Sequence, residues 1–574
     1  MRENVEIVEN VEIVENVEKV ENVSGSRDFR MIPVAAACWA GCLIGKFLCN
    51  FTIIYCISIV LFNATIVSIF IFCKKFKFFI WRRTVLVIIN VFVAACMLSY
   101  ITQYVISGDV IMREIRGNNP TKALYFQGNN AERARFAEFT VVAPVRSSRS
   151  FKGDCQANVQ VHKFDAQKSY VQARLYAYSP ICKQLSYGSS LSVPVSVKAS
   201  RFDSSKPELH VEKTQRNLHV VQDSDFWHKA VSNLWKSFYD VTNKLDMQGR
   251  MLVPGVTVGM LGQEYVPVED ASSLEPVDET YANMTRQHFQ HAGIMHVMAV
   301  SGGHFLLLSM IIRKFCARLL LPRWSTSLIQ ITLQIALAAI VYPSASVLRA
   351  LIMGIISAVA WCCKRPYQSA SALSWTVIGV LVVNPSYAWD YAFALSSAAT
   401  LGIVVMGVPI SKTFAKYMPS CVASALAITL SAQFWTMPVQ ILMQPEVSFM
   451  SVPANLIVAP LMDWATVFGL ISLVCASFND GLSLIFAKAS SIGTSFMEKC
   501  AYWCDEAAFG VFPWMKGAAG AWMMAGVEVA IFAVFMLAFR VFHNRACVQR
   551  MSIIGQLWES SAKRTISEAA QIFE

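Results

Sequence analysis

Apolar runs of membrane-spanning length recur along most of this chain, and nothing else in it restricts the fold so severely. A helix needs about 20 apolar residues to cross the hydrocarbon core of a bilayer. Candidate spans lie at 31–49, 51–73 and 84–106, followed by a series from 293 to 540, for about 12 in all. Within lipid every backbone N–H and C=O must be satisfied inside the segment, which leaves helices as the solution for runs of this length. Charged residues make up 15% of the chain, against roughly 25% in soluble domains. No cleavable signal peptide is expected, because the first run lacks a small-residue cleavage site ahead of a soluble domain. The fold class is therefore a polytopic α-helical membrane protein, with some of its helices broken.

Short basic loops set the expected orientation. Lys74, Lys75, Lys77, Arg82 and Arg83 fall within ten residues that hold no acid. Arg313, Lys314, Arg318 and Arg323 crowd a second loop, Lys364 and Arg365 a third, and Arg540, Arg545 and Arg550 follow the last span. The positive-inside rule assigns all of these to the cytoplasm. Counting spans between them places residues 107–285 in the extracellular space and both termini in the cytoplasm. Ahead of the first span, residues 1–23 repeat ENVEIV-type hexads with Glu at every third position. A period of three fits neither a helix stripe nor a strand face. Residues 1–30 read as a low-complexity acidic tail without an assigned function.

The external segment has another pattern. Short runs with period-two alternation, broken by Pro, Gly and Ser, extend from about residue 136 to 225. Val171, Ala173, Leu175 and Ala177 alternate with Tyr170, Arg174, Tyr176 and Tyr178, while Leu191, Val193, Val195 and Val197 share one face. This suggests a small β-barrel or sandwich. From Arg133 to Arg201 eleven Lys and Arg stand against three acids, a net charge of +8. Basic surfaces with interleaved aromatics suit nucleic acid, since phosphates release counterions and rings stack on bases. A solvated basic face whose tyrosines pack on a partner gives the same pattern. The segment holds only two cysteines, Cys155 and Cys182. They read either as a disulfide, favoured outside the cytoplasm, or as two unrelated buried thiols.

Residues 226–250 carry Trp227, Val231, Leu234, Trp235, Phe238, Val241 and Leu245 at helical spacing, flanked by Lys229, Lys236 and Lys244. Such a helix lies at a membrane surface, or packs against the β-domain. The stretch 251–285 has six acids and no base, and is expected to be an exposed loop.

Residues 293–304 read GIMHVMAVSGGH. Imidazoles, a hydroxyl and paired glycines are costly at membrane depth unless they face a cavity or one another. Gly302 and Gly303 weaken a helix beside Ser301 and His304, so a broken helix is expected here. Arg349 sits inside another span, where an arginine costs about 2.5–3.5 kcal/mol on insertion scales and needs an acceptor or water. SVPANLIVAP (451–460) holds two prolines around Asn455, which argues for a discontinuous helix.

Five segments occur in a fixed order: GRMLVPGVTVGML (249–261), AGIMHVMAVSGGHF, SVLRALIMG (346–354), YAFALSSAATLGIV (391–404) and SVPANLIVAP. The series resembles the ComEC family of DNA-uptake channels, which serve natural transformation. The resemblance implies a membrane channel for single-stranded DNA preceded by an extracellular OB-like β-barrel domain. It places His296, Ser301, Gly302, His304, Arg349, Ser396 and Asn455 along the channel. Tyr170, Arg174, Tyr176 and Tyr178 are the expected DNA-binding face. Gly303 stands where the family often carries a larger residue. The implied organisation is 1–30 tail, 31–106 N-terminal spans, 107–225 β-domain, 226–292 amphipathic helix and acidic linker, 293–540 channel domain and 541–574 cytoplasmic tail.

Many members of that family end in a metallo-β-lactamase-like nuclease domain, whose site needs clustered His and Asp. Nine His are present here without an HxHxDH run, so neither that domain, a metal nor another cofactor is expected, and the chain is not read as an enzyme. Single-stranded DNA and the lipid bilayer are the expected partners. A surface DNA receptor, a cytoplasmic helicase-type motor, a separate nuclease and a homo-oligomeric assembly are compatible with the reading. Two rival classes stay open. Ser301 with His304 could serve an intramembrane serine hydrolase, although the local sequence is not a G-x-S-x-G elbow. A small-anion transporter would use the same polar groups.

Overall fold

The computed structural model describes residues 28–49, 79–117, 135–148, 153–179, 181–200, 206–211, 219–266, 277–507 and 510–543. The acidic tail 1–23, the expected span 51–73 and the basic loop 74–78 lie outside these residues. In chain order the helices are α1 (Ile32–Leu48), α2 (Phe79–Ser107), α3 (Val110–Gly117), α4 (Ile181–Gln184), α5 (Phe226–Thr242), α6 (Met247–Val258), α7 (Glu279–His291), α8 (Gly302–Arg318) and α9 (Arg323–Ile340). They continue as α10 (Ala345–Cys362), α11 (Ser369–Val383), α12 (Tyr391–Gly402), α13 (Val408–Phe414), α14 (Ser420–Met443), α15 (Ser451–Cys475), α16 (Asp480–Glu506) and α17 (Gly517–His543). Six helices among the described residues are long and apolar enough to cross a membrane, at 84–107, 345–362, 391–414, 420–443, 451–475 and 517–534. Two shorter apolar helices, α1 and α11, accompany them. This fits a multi-pass membrane protein, and six of the dozen spans expected from the sequence are seen among the described residues.

Between α3 and α5 the chain forms a closed five-stranded barrel. Its strands are β1 (Arg135–Val141), β3 (Cys155–Phe164), β5 (Gln172–Ala177), β6 (Ser190–Lys198) and β7 (Glu208–Val211). The small strands β2 (Arg146–Ser147), β4 (Gln167–Lys168) and β8 (His219–Gln222) attach to β3, β3 and β6. Around the barrel the order is β1-β3-β5-β7-β6, closed by β1 with β6; β5 and β7 run parallel and the other neighbours antiparallel. Alternation builds this directly: Phe139, Val159, Leu175, Val193 and Leu209 point into one buried core. Each such side chain contributes about 1.5–3 kcal/mol when withdrawn from water. Cys155 and Cys182 are joined by a disulfide that ties β3 to α4.

The barrel is fastened to the end of α2. Asp109 accepts hydrogen bonds from Ser169 Oγ at 3.0 Å and from the Tyr170 N–H at 3.1 Å. Glu114 pairs with Arg135 at 2.8 Å.

The segment expected to be an exposed acidic loop begins instead with one of the most buried helices. Met251, Leu252, Val253, Val256 and Val258 of α6 are all at most 2% exposed. The count of acids misled because all six lie beyond this helix, from Glu264 onward. Gly259, at φ +80°, closes α6 in the left-handed conformation that a residue without Cβ adopts freely. Residues 267–276 lie outside the described part, and 279–291 form α7. The expected amphipathic helix 226–250 is likewise two helices, α5 and α6, separated at Asn243–Asp246. Trp235, Phe238, Tyr239 and Val241 of α5 pack against Val253 and Val258 of α6 and Leu473 of α15, while Phe226 and Trp227 are exposed.

The chain divides into two compact units, 1–433 with 448–511 and 434–447 with 512–574. In the smaller unit Ile441 packs on Ala521 and Met524.

Candidate functional site

The GIMHVMAVSGGH segment does break, but ahead of the glycines. Met295–Met298 form a single 3-10 turn, and Ala299 and Ser301 are extended. Helix α8 then starts at Gly302. Ser301 is its N-cap: its hydroxyl accepts from the Gly303 N–H at 3.3 Å, and its own N–H donates to His304 Nδ1 at 3.3 Å. This is a capping box with His304 in the role usually taken by Glu or Gln. The paired glycines therefore open a helix rather than interrupt one.

His304 is 2% exposed and satisfied on both nitrogens. Because Nδ1 accepts from Ser301, Nε2 carries the proton, and it donates to the Val256 carbonyl at 2.8 Å with Thr466 Oγ1 at 3.3 Å. Carbonyls in the last turn of a helix have no partner within it. The end of α6 finds two outside: Val256 takes His304, and Val258 takes the Tyr342 N–H at 2.8 Å. His296, on the 3-10 turn, is exposed.

Arg349, on α10, is 7% exposed. Its Nη1 donates to Thr400 Oγ1 on α12 and lies 3.9 Å from Met353 Sδ, while Nε has no hydrogen-bond partner. No carboxylate pairs with it among the described residues. A Cβ placed on Gly302 would stand 2.9 Å from Arg349 Nη2, whereas one on Gly303 would meet only Ser301 Oγ at 3.4 Å. Gly302 is thus the residue that lets a buried cation approach the α8 N-terminus. Thr400 in turn donates to the Ser396 carbonyl at 2.9 Å, and a π-helical turn at Ile403–Gly407 follows. Such turns are frequent at functional sites.

Asn455 is placed apart from this cluster. Its amide donates to the Ser451 carbonyl at 2.7 Å, one turn back in α15. The discontinuous helix expected there is corrected: α15 runs unbroken from Ser451 to Cys475. Pro453 lies in the first turn, where an N–H has no partner to lose, and Pro460 removes one bond from a long helix.

A second polar layer follows along α8. Ser309 accepts from Gln334 at 2.7 Å and Gln330 at 3.2 Å, both glutamines being fully buried on α9. Arg313 donates to Gln330 Oε1 at 3.1 Å and to Ser357 Oγ at 2.9 Å. Arg313 was expected in a basic loop; it belongs to the helix and is held between α9 and α10. Ser301, His304, Ser309 and Arg313 together make a polar track down one helix. Their partners Gln330, Gln334 and Thr466 carry no motif of their own and could not be singled out from the sequence.

On the barrel, the four residues expected to share an outer face do not. Tyr170 is 75% exposed and Arg174 half-buried, but Tyr176 is 4% exposed and stacks on His210 at 5.1 Å. Strand β5 spans only Gln172–Ala177, so Tyr170 and Tyr178 lie beyond its opposite ends. Alternation held on the inner side, where Val171, Ala173, Leu175 and Ala177 are all buried.

A further cluster had no sequence signal. His288 and His291 of α7 each place Nδ1 2.6 Å from one oxygen of Asp505 on α16. Burial works to raise the Asp505 carboxyl, but the bonds from His291 and His288 outweigh it and hold it below the usual carboxylate range.

Residues 278–540 match the family model described as "Competence protein". ComE operon protein 3 of Bacillus subtilis (strain 168) is 23% identical over 208 residues, which is 36% of this chain and 25% of that protein. The match thus spans about a quarter of that curated relative. No solved structure matches the chain.

Proposed function

On the premise that this chain belongs to the ComEC family of competence proteins, we propose that it is a cell-membrane channel for single-stranded DNA in natural transformation. The observation that carries the reading is the buried Arg349 guanidinium, close to Gly302 at the α8 N-terminus and paired with no acid among the described residues. An unpaired cation at membrane depth is expensive and is retained where an anion passes. The polar track from Ser301 through Ser309 to Arg313 continues from that guanidinium along α8, each group held by a hydrogen bond to protein. In this reading His296, Gly302 and Ser396 accompany that track, whereas Asn455 bonds within its own helix, to the Ser451 carbonyl.

The OB-like reading of the barrel rests on its five-strand closure and its single parallel pair. Its basic surface would capture DNA outside the cell, and residues 107–285 would be extracellular with both termini cytoplasmic. The partners are single-stranded DNA and lipid, with a receptor, a helicase-type motor and a separate nuclease acting around the channel.

The non-enzymatic reading is favoured over a serine hydrolase by the hydrogen bonds of His304. A general base needs a free lone pair toward its nucleophile and a group that orients it. Here Nδ1 already serves the Ser301 N–H, Ser301 Oγ stands 3.4 Å away, and Nε2 is spent on a carbonyl. A deletion strain should lose transformation and the entry of fluorescent DNA while retaining DNA at its surface receptor. Normal entry in the deletion strain would sink the proposal.

A further inference from the structure

A cavity of about 440 Å³ lies between the barrel and the membrane helices. Ala299 and Val300, the two residues before the Ser301 cap, line it, with Arg146 of β2, Glu264, Arg286 of α7 and Tyr342 around them. The charges here are unevenly matched. Glu264 Oε1 lies 2.9 Å from Arg286 Nη2, and Oε2 lies 3.7 Å from Arg146 Nη1. Two guanidinium groups therefore share one carboxylate. The Arg146 guanidinium lies over the Tyr342 ring, 3.3 Å from its centroid, and Nη2 donates to the Gly259 carbonyl at 3.3 Å. Its Nε is buried without a hydrogen-bond partner. The side chains of all three charged residues remain 17–24% exposed, so the cluster is accessible from the cavity.

Two guanidinium cations stand against one carboxylate with two acceptor oxygens, leaving an excess positive charge. A phosphodiester has the same charge and the same pair of terminal oxygens as the Glu264 carboxylate. It is the ligand that this arrangement already imitates. The cavity also lies where a strand leaving the barrel would reach the α8 cap. We propose that it is a phosphodiester-binding portal, in which Glu264 stands in for the phosphate when no strand is present and yields Arg146 and Arg286 to a passing strand. This rests on the DNA-uptake reading and adds a specific site to it. A free mononucleotide also brings a phosphate, though as a more highly charged monoester, and lacks the run of phosphates that would continue to Arg349.

The sign of one substitution separates a portal from a structural strut. The purified full-length chain would be titrated with a short fluorescent oligothymidylate, read by anisotropy at several salt concentrations. Removing a competing carboxylate should make Glu264→Gln bind roughly five- to tenfold tighter than wild type at low salt. Arg146→Gln and Arg286→Gln should each weaken binding and reduce the salt slope by about 0.7, the single-strand value for one phosphate. Adding thymidine monophosphate in excess should compete weakly if the portal reads a chain. A strut predicts the opposite for Glu264→Gln: lower stability and equal or weaker binding. Equal or weaker binding by a variant that retains its disulfide and a wild-type melting profile overturns the portal.

Should Glu264→Gln fail to fold, the unmodified protein supplies the test. Oligothymidylate should protect Arg146 and Arg286 from phenylglyoxal, read by mass spectrometry, and absence of protection overturns the portal. Wild-type binding indifferent to these charge changes defeats the portal alone, whereas no binding at low salt defeats the DNA-uptake reading as well.

Discussion

At the scale of single residues, the two glycines of the cap make unequal demands. Gly302 has Arg349 Nη2 where a Cβ would need space, and Gly303 does not. Gly302→Val is expected to displace the guanidinium and abolish DNA entry, while Gly303→Ala should stay within about twofold of wild type, the range of an unstrained surface change. Uptake of labelled DNA at matched protein levels checks both; equal loss in the two variants would mean that helix start, not the Arg349 approach, is what matters. Arg349→Glu reverses the charge at the same point. It should block entry while leaving binding at the cell surface intact, because the proposed reading gives capture to the barrel. Import at the wild-type rate by this variant would remove Arg349 from the path.

Among the secondary-structure elements, two ties invite measurement. The Cys155–Cys182 bond closes a separation of 27 residues between β3 and α4. A chain-entropy estimate gives it roughly 3 kcal/mol. The double substitution of Cys155 and Cys182 by Ala should lower the barrel's unfolding free energy by about that amount, read by denaturant titration, with no change in the membrane helices. The second tie holds α7 to α16. Asp505 is held below its ordinary pKa, so its contribution is present above the unfolded value of about 3.9 and is lost as pH falls through the lower, folded one. Asp505→Asn should cost about 1.5–3 kcal/mol at pH 7, the worth of bonds to a charged acceptor. The gap between variant and wild type should close in acid. A gap that persists at pH 3 or below would show that the cluster is held by packing, not by charge.

For the molecule as a whole, the barrel is joined to the membrane part through Asp109 and Glu114 near α2 and through Arg146 beside α6 and α9. Such ties would let the barrel pass a strand to the helices without leaving its place. Binding of single-stranded DNA by the full chain should fall steeply with salt, with a log–log slope near −0.7 for each phosphate neutralised. A flat dependence would mean that the net charge of +8 across residues 133–201 is a solvated surface and not a DNA track.

Patterns with a short period were legible in the sequence. Hydropathy marked the apolar spans, since helix length is fixed by bilayer thickness, and alternation marked the barrel's inner face, since side chains switch sides at every strand residue. The order of motifs carried the family, and the oddness of Ser301, Gly302, His304 and Arg349 in apolar surroundings marked the site. Tertiary structure decided what those residues do. Whether the glycines interrupt or begin α8 depended on Ala299–Ser301 being extended. The fate of Tyr176 depended on His210 arriving from a parallel strand. Helix α6 looked like the start of an acidic loop until α15 and α16 buried it. The pairs His304–Val256, Arg349–Thr400, Arg146–Glu264 and His288–Asp505 lie 48, 51, 118 and 217 residues apart. No local period can encode such pairs, because each is chosen by which carbonyl, hydroxyl or carboxylate is left unsatisfied when the helices and the barrel close around it.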